Sequence, residues 1–138
     1  MKKKKVLFLC TGNSARSQMA EGLLRHLAPD RFEVFSAGVK PTDVNPLSVK
    51  VMEEVGIDIS KQRSKSVDEF LGQSFDYVVT LCDSARQSCP IFPGNNIKIH
   101  WSLEDPVKVQ GTEEDKINVF RKVRDKIKEH TLGFLNLH

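Results

Sequence analysis

The sequence predicts an α/β fold in three layers: a four-stranded parallel sheet, order 2-1-3-4, between helices. Three observations predict it. Short β-rich runs alternate with segments of helical period along the chain, the pattern of parallel strands joined by crossover helices. One run, residues 77–82 (YVVTLC), is apolar almost throughout, as a strand buried on both faces must be. Reactive and polar residues cluster just after the runs, where open parallel sheets bind ligands.

Residues 6–9 (VLFL) make the first strand, ending at Cys10. Residues 17–27 follow as a helix, with Met19, Leu23, Leu24 and Leu27 at helical spacing and Pro29 as a stop. Residues 32–37 alternate and are β-rich, a second strand ending at Gly38. Pro46 suits the first turn of a second helix, which carries Val49, Met52 and Val55 and is closed by Gly56. Ser66 and Glu69 read as a capping box for a short helix at 67–71. After the third strand, 77–82, the polar stretch 83–88 has adequate helix propensity. Residues 97–101 form the fourth strand and 107–112 a loop. Thr112 and Asp115 cap a last helix that presents Ile117, Phe120, Val123 and Ile127 on one side. The tail, 133–138, is expected to fray.

At 138 residues the chain reads as a single domain over 1–138. Apolar residues make up 39% and charged residues 28%, enough for one buried core and a charged surface. The net charge of +3 comes from the lysine run Lys2 to Lys5; the rest holds 17 basic residues against 18 acidic. A nucleic-acid face is therefore not expected. The opening MKKKKVLFLC has basic and apolar parts, but four apolar residues are too few for a signal peptide. No stretch approaches the ~20 apolar residues of a membrane span, so a cytoplasmic protein is expected. There, three cysteines point to chemistry rather than to a disulfide framework.

The chemistry centres on residues 6–17, VLFLCTGNSARS, with the spacing C-x5-R-S. Successive backbone N–H groups of Thr11, Gly12, Asn13, Ser14 and Ala15 can form a concave nest for an anion. The helix that starts there adds free N–H groups and its positive dipole end. Arg16 adds a planar fork that grips two oxygens of a tetrahedral oxyanion. Gly12 permits a tight turn. Cys10, at the rim, is a candidate nucleophile, because helix N-termini and arginines favour an anionic sulfur. A bare C-x5-R is also compatible with a structural cysteine before an ordinary loop. Asp105, before Pro106, suits a general acid or a turn. Glu21 reads as stabilising the helix start. Cys82 and Cys89 are seven residues apart; if the segment is helical they are separated by about 10 Å of rise. A disulfide needs Cα atoms within roughly 7 Å, so bonding them would unwind the helix. The residues alone favour two unrelated thiols, one in a strand and one before a proline. His26, His100, His130 and His138 have no metal-ligand spacing, so no metal site is expected.

CTGNSARSQMAEG resembles the opening of the thioredoxin-coupled arsenate reductases, which share a fold with the low-molecular-weight tyrosine phosphatases. LCDSARQSCP resembles the redox segment of the reductases, a cysteine pair that the phosphatases lack. HWSLEDP resembles their acid loop, and Val107 follows Asp105-Pro106 where phosphatases usually carry aromatic residues. The resemblance covers essentially the whole chain and implies a low-molecular-weight phosphatase-like fold. It also implies reduction of arsenate to arsenite by a three-thiol relay. Cys10 attacks arsenic, Cys82 attacks Cys10, Cys89 attacks Cys82, and thioredoxin reduces the Cys82–Cys89 disulfide. In that relay Asp105 donates a proton, Arg16 and the loop hold the arsenate or a phosphate-like oxyanion, Ser17 bonds the Cys10 thiolate and Asn13 braces the loop. No bound cofactor, no nucleic acid, no membrane and a monomeric state are implied. The rivals are hydrolysis of phosphate monoesters through a Cys10 thiophosphate, and a sensor without turnover. Two departures stand out. Ala15 replaces a cysteine that many relatives carry. Some relatives bind potassium through residues matching Asn13, Glu21 and Ser36 plus an acid near the position of Lys65; the lysine implies no bound potassium here.

Overall fold

The computed structural model describes residues 2–138. Four strands, β1 (Lys4–Cys10), β2 (Phe32–Gly38), β3 (Tyr77–Thr80) and β4 (Ile97–His100), form one parallel sheet in the order β2-β1-β3-β4. The helices are α1 (Arg16–Leu27), α2 (Pro46–Glu53), α3 (Asp83–Gln87) and α4 (Glu113–Leu137), with 3-10 turns at Val67–Phe70 and Pro106–Lys108. The expected sheet order is found.

β1 is central, and its Val6, Leu7, Phe8 and Leu9 are fully buried, which is why it reads as an unbroken apolar run. On one face Phe134 of α4 packs on Phe32 and Tyr77, and α1 and α2 pack against α4. On the other, Phe35, Phe70, Phe75 and Phe92 meet edge to face at centroid separations of 5.3–6.0 Å. Parallel pairing puts Cys10 opposite Gly38 and Thr80 opposite His100, so the carboxyl ends of all four strands lie along one rim.

Five local expectations need correction. β3 stops at Thr80 rather than running to Cys82; Leu81 still donates to the Leu9 carbonyl, but Cys82 has become the N-cap of α3. The segment after Ser66 is a 3-10 turn in which the Ser66 hydroxyl accepts from the Asp68 N–H, and Glu69 makes a bidentate pair with Arg63. Part of the expected loop at 107–112 is helical, because the Asp105 carboxylate caps a 3-10 turn through the Val107 N–H. The tail does not fray: burial of Phe134 keeps α4 helical to Leu137. The Thr112–Asp115 capping box forms as expected. Glu21 lies beyond the first turn of α1, which holds no acid, so it does not serve the helix dipole there.

Candidate active site

Cys10 ends β1, and the chain then loops over residues 11–15 into α1, which begins with no side-chain cap on its N-terminus. The loop is pinned from outside. The carbonyls of Cys10, Thr11, Gly12 and Ser14 accept from the N–H groups of Val39, Lys40, Thr42 and Asn45. Among the described residues, no backbone N–H from Gly12 to Ala15 donates to another backbone group, which leaves a ring of donors at the helix start.

Asn13 is the brace. It is fully buried at φ 48°, a left-handed conformation that asparagine tolerates better than most residues. Its amide nitrogen donates to Ser17 Oγ at 2.7 Å and to Ser36 Oγ at 2.9 Å; its Oδ1 accepts from the Lys65 N–H at 2.8 Å. Because Asn13 donates to Ser17, the Ser17 hydroxyl is free to give its own proton to Cys10 Sγ, 2.8 Å away. The tight turn is thus made by Asn13 rather than Gly12, which has no positive φ; a Cβ on Gly12 would sit 3.0 Å from Thr42 Oγ1. A glycine whose role is invisible in the sequence is Gly38. A Cβ there would lie 2.7 Å from both Asn13 N and Thr11 O.

Arg16 is buried to 7% exposure. Its Nη1 donates to the Leu103 carbonyl at 3.1 Å, and its Nη2 lies 3.5 Å from Asp105 Oδ2. Cys10, the loop, Arg16, Asp105 and Val107 line a cavity of about 260 Å³, a size that suits a small anion; Lys40 and Thr42, not anticipated from the sequence, complete its wall. A neighbouring cavity of about 300 Å³ shares Thr11, Arg16 and Asp105 with it and adds Cys82. Thr11 Oγ1 lies 3.3 Å from Cys82 Sγ. Arg16 and Asp105 therefore line both of two neighbouring cavities, one holding Cys10 and the other Cys82.

Cys89 stands apart. It lies beyond α3, in a third cavity with Arg86, Lys98 and His100, and its thiol faces the Pro90 carbonyl at 3.5 Å. Burial pushes its pKa up, with Lys98 pulling the other way. All three cysteines are free thiols.

Behind α1 the Lys65 ammonium lies 3.5 Å from Glu21 Oε1 and 3.5 Å from Ser36 Oγ, and donates to the Arg63 carbonyl at 2.8 Å. Burial lowers the Lys65 pKa, and Glu21 opposes that shift. Glu21 also accepts from Ser36 and pairs with Arg25. A cleft of about 840 Å³ opens on this side and holds no thiol. Among the described residues no group of three His, Cys, Asp or Glu side chains is placed to hold a metal, and no helix is long and apolar enough to cross a membrane.

Residues 5–137 match the family described as low molecular weight phosphotyrosine protein phosphatase. The chain belongs to that family. Among its relatives is an arsenate reductase of Halalkalibacterium halodurans, 52% identical over 127 residues, 92% of this chain and 91% of the relative. A solved arsenate reductase in the oxidised state is 38% identical with a TM-score of 0.80 and 93% of each chain covered. A low molecular weight protein tyrosine phosphatase from T. tengcongensis is 27% identical, with a TM-score of 0.77 over 99% of this chain and 100% of that one. The chain is thus similar to both branches of the phosphatase family, and nearer in sequence to the reductases.

Proposed function

We propose that this member of the phosphatase family reduces arsenate to arsenite. The observation that carries the reading is Cys82 Sγ against Thr11 Oγ1, which sets a second thiol beside the loop of the first. A phosphate-ester hydrolase has no use for that thiol. The similarity to arsenate reductases supports the same reading.

The loop N–H groups and Arg16 hold the tetrahedral oxyanion, and the Ser17 hydroxyl supports the Cys10 thiolate. The Cys10 sulfur bonds to arsenic while one arsenate oxygen leaves as water, its proton supplied by Asp105. The Cys82 thiolate then attacks Cys10 sulfur. The sulfur–arsenic bond breaks, two electrons go to arsenic, arsenite departs and a Cys10–Cys82 disulfide remains. Cys89 thiolate next attacks Cys82 and expels Cys10 thiolate. Thioredoxin, from the cytoplasm, supplies two electrons and two protons to the Cys82–Cys89 disulfide. The protein acts as a monomer and needs no bound cofactor. Lys65 fills the place of a potassium ion with its own charge, so added potassium gives no specific stimulation; rate measurements in potassium chloride against sodium chloride at equal ionic strength check this.

The deciding assay is arsenate-dependent NADPH oxidation with thioredoxin and thioredoxin reductase. Native protein turns over, and Cys82→Ser loses at least a hundredfold while retaining weak hydrolysis of an aryl phosphate. If Cys82→Ser leaves both activities intact, the hydrolase reading replaces this one.

A further inference from the structure

We propose that His100 and Asp83 form a latch that holds α3 in its helical, dithiol form and so sets the redox equilibrium of Cys82 and Cys89. The proposal rests on the relay reading, in which these two thiols join. His100 ends β4, and its ring is clamped from both sides. Nδ1 lies 2.7 Å from the buried Thr80 Oγ1, and Nε2 lies 3.1 Å from Asp83 Oδ1. Thr80 ends β3, directly opposite His100 in the sheet. The imidazole is thus fixed to the rigid sheet by one nitrogen and reaches the first residue of α3 with the other.

That contact matters because α3 has little else to hold it. It is five residues long, and only Ala85 is buried. Its cap is the Cys82 sulfur, which accepts from the Ala85 N–H at 3.4 Å. The cap is the same atom that must leave to bond Cys10 and then Cys89. The backbone bonds Arg86 N–H to Cys82 O and Ser88 N–H to Ser84 O hold the helical rise that keeps Cys82 and Cys89 apart. A Cys82–Cys89 bond shortens that span and breaks these bonds. Asp83, next in chain to Cys82, is then pulled from the geometry in which His100 meets it. An interaction present in the dithiol form and absent from the disulfide form favours the dithiol, so the latch makes the disulfide easier to reduce and slower to close. His100 is in this sense a positioning residue, acting through the helix rather than on substrate.

The test uses the full chain with Cys10→Ser, which leaves Cys82 and Cys89 as the only thiols. It is equilibrated with glutathione buffers, in which oxidised glutathione takes two electrons and becomes two molecules of reduced glutathione. The disulfide fraction is read by mass spectrometry. His100→Gln and Asp83→Ala should each raise the ratio of disulfide to dithiol about two- to fivefold, a shift of about 9–20 mV to more negative potential for a two-electron couple. The double variant should go no further than Asp83→Ala alone, since any effect of the Asp83 charge on the helix itself cancels in the cycle. Exchange of the Ala85 and Arg86 amides should quicken in both single variants. If Asp83→Ala does not fold, Asp83→Ser closes the same cycle. Unchanged ratios, or strictly additive ones, overturn the latch. A Cys10→Ser parent that never joins Cys82 to Cys89 in any buffer overturns the relay instead.

Discussion

At the scale of single residues, the site depends on who donates to whom. Asn13 spends both amide protons on serines, and this directs the Ser17 proton at Cys10. Cys89 is the counterexample, a thiol that burial holds in its neutral form. Only the thiolate attacks a disulfide, so the last exchange of the relay should quicken as pH rises, roughly tenfold per unit until the raised pKa is reached. Single-turnover quench followed by mass mapping checks this: the Cys10–Cys82 species should decay faster at pH 9 than at pH 7, and a flat profile would contradict it. The pairing of Cys82 with Cys89 came only from the resemblance to the reductases, while the C-x5-R-S loop was legible in the sequence because its chemistry fixes its spacing. Gly38, Thr42 and His100 were not. Each matters through a neighbour distant in the chain, and no local pattern marks such a contact.

At the scale of elements, capping was read correctly at Thr112 and Pro46, where the element's own residues decide it. Endings decided by tertiary contacts were misread. The last turns of α4 persist because Phe134 is packed by Phe32, Tyr77 and His138. Phe134→Ala should therefore cost about 3–5 kcal/mol in urea unfolding and release the tail to rapid amide exchange. α2 and α4 are tied by Glu54, which Arg121 and Arg124 both grip. The Arg121 hydrogen bond leads in lowering the Glu54 pKa from 4.5 to about 2. An acid depressed on folding adds stability above its unfolded pKa and loses it as pH falls through the folded one. Glu54→Gln should accordingly flatten the pH dependence of unfolding between about 4.5 and 2 while leaving activity at neutral pH unchanged; an unaltered profile would discount the tie.

At the scale of the molecule, the alternation of strands and helices predicted the sheet and the rim on which Cys10, Cys82 and Asp105 meet. That inference works because parallel strands all end on the same side. What it did not reveal is the role of Cys82, which lines the crevice beside Arg16 and Asp105 as the cap of the five-residue helix that separates it from Cys89. The gap is a matter of turn geometry, since ending β3 two residues early is what converts Cys82 from a strand residue into a cap. In the proposed relay, oxidation would travel outward by deformation of α3, not by diffusion of a side chain.

The bare α-carbon at Gly38 has one more implication. With the end of β2 touching the backbone of Thr11 and Asn13, the oxyanion cradle has no suspension of its own. It inherits the stiffness of the central sheet, so under the proposed relay α3 can unwind on one flank while the anchorage for the anion stays still on the other.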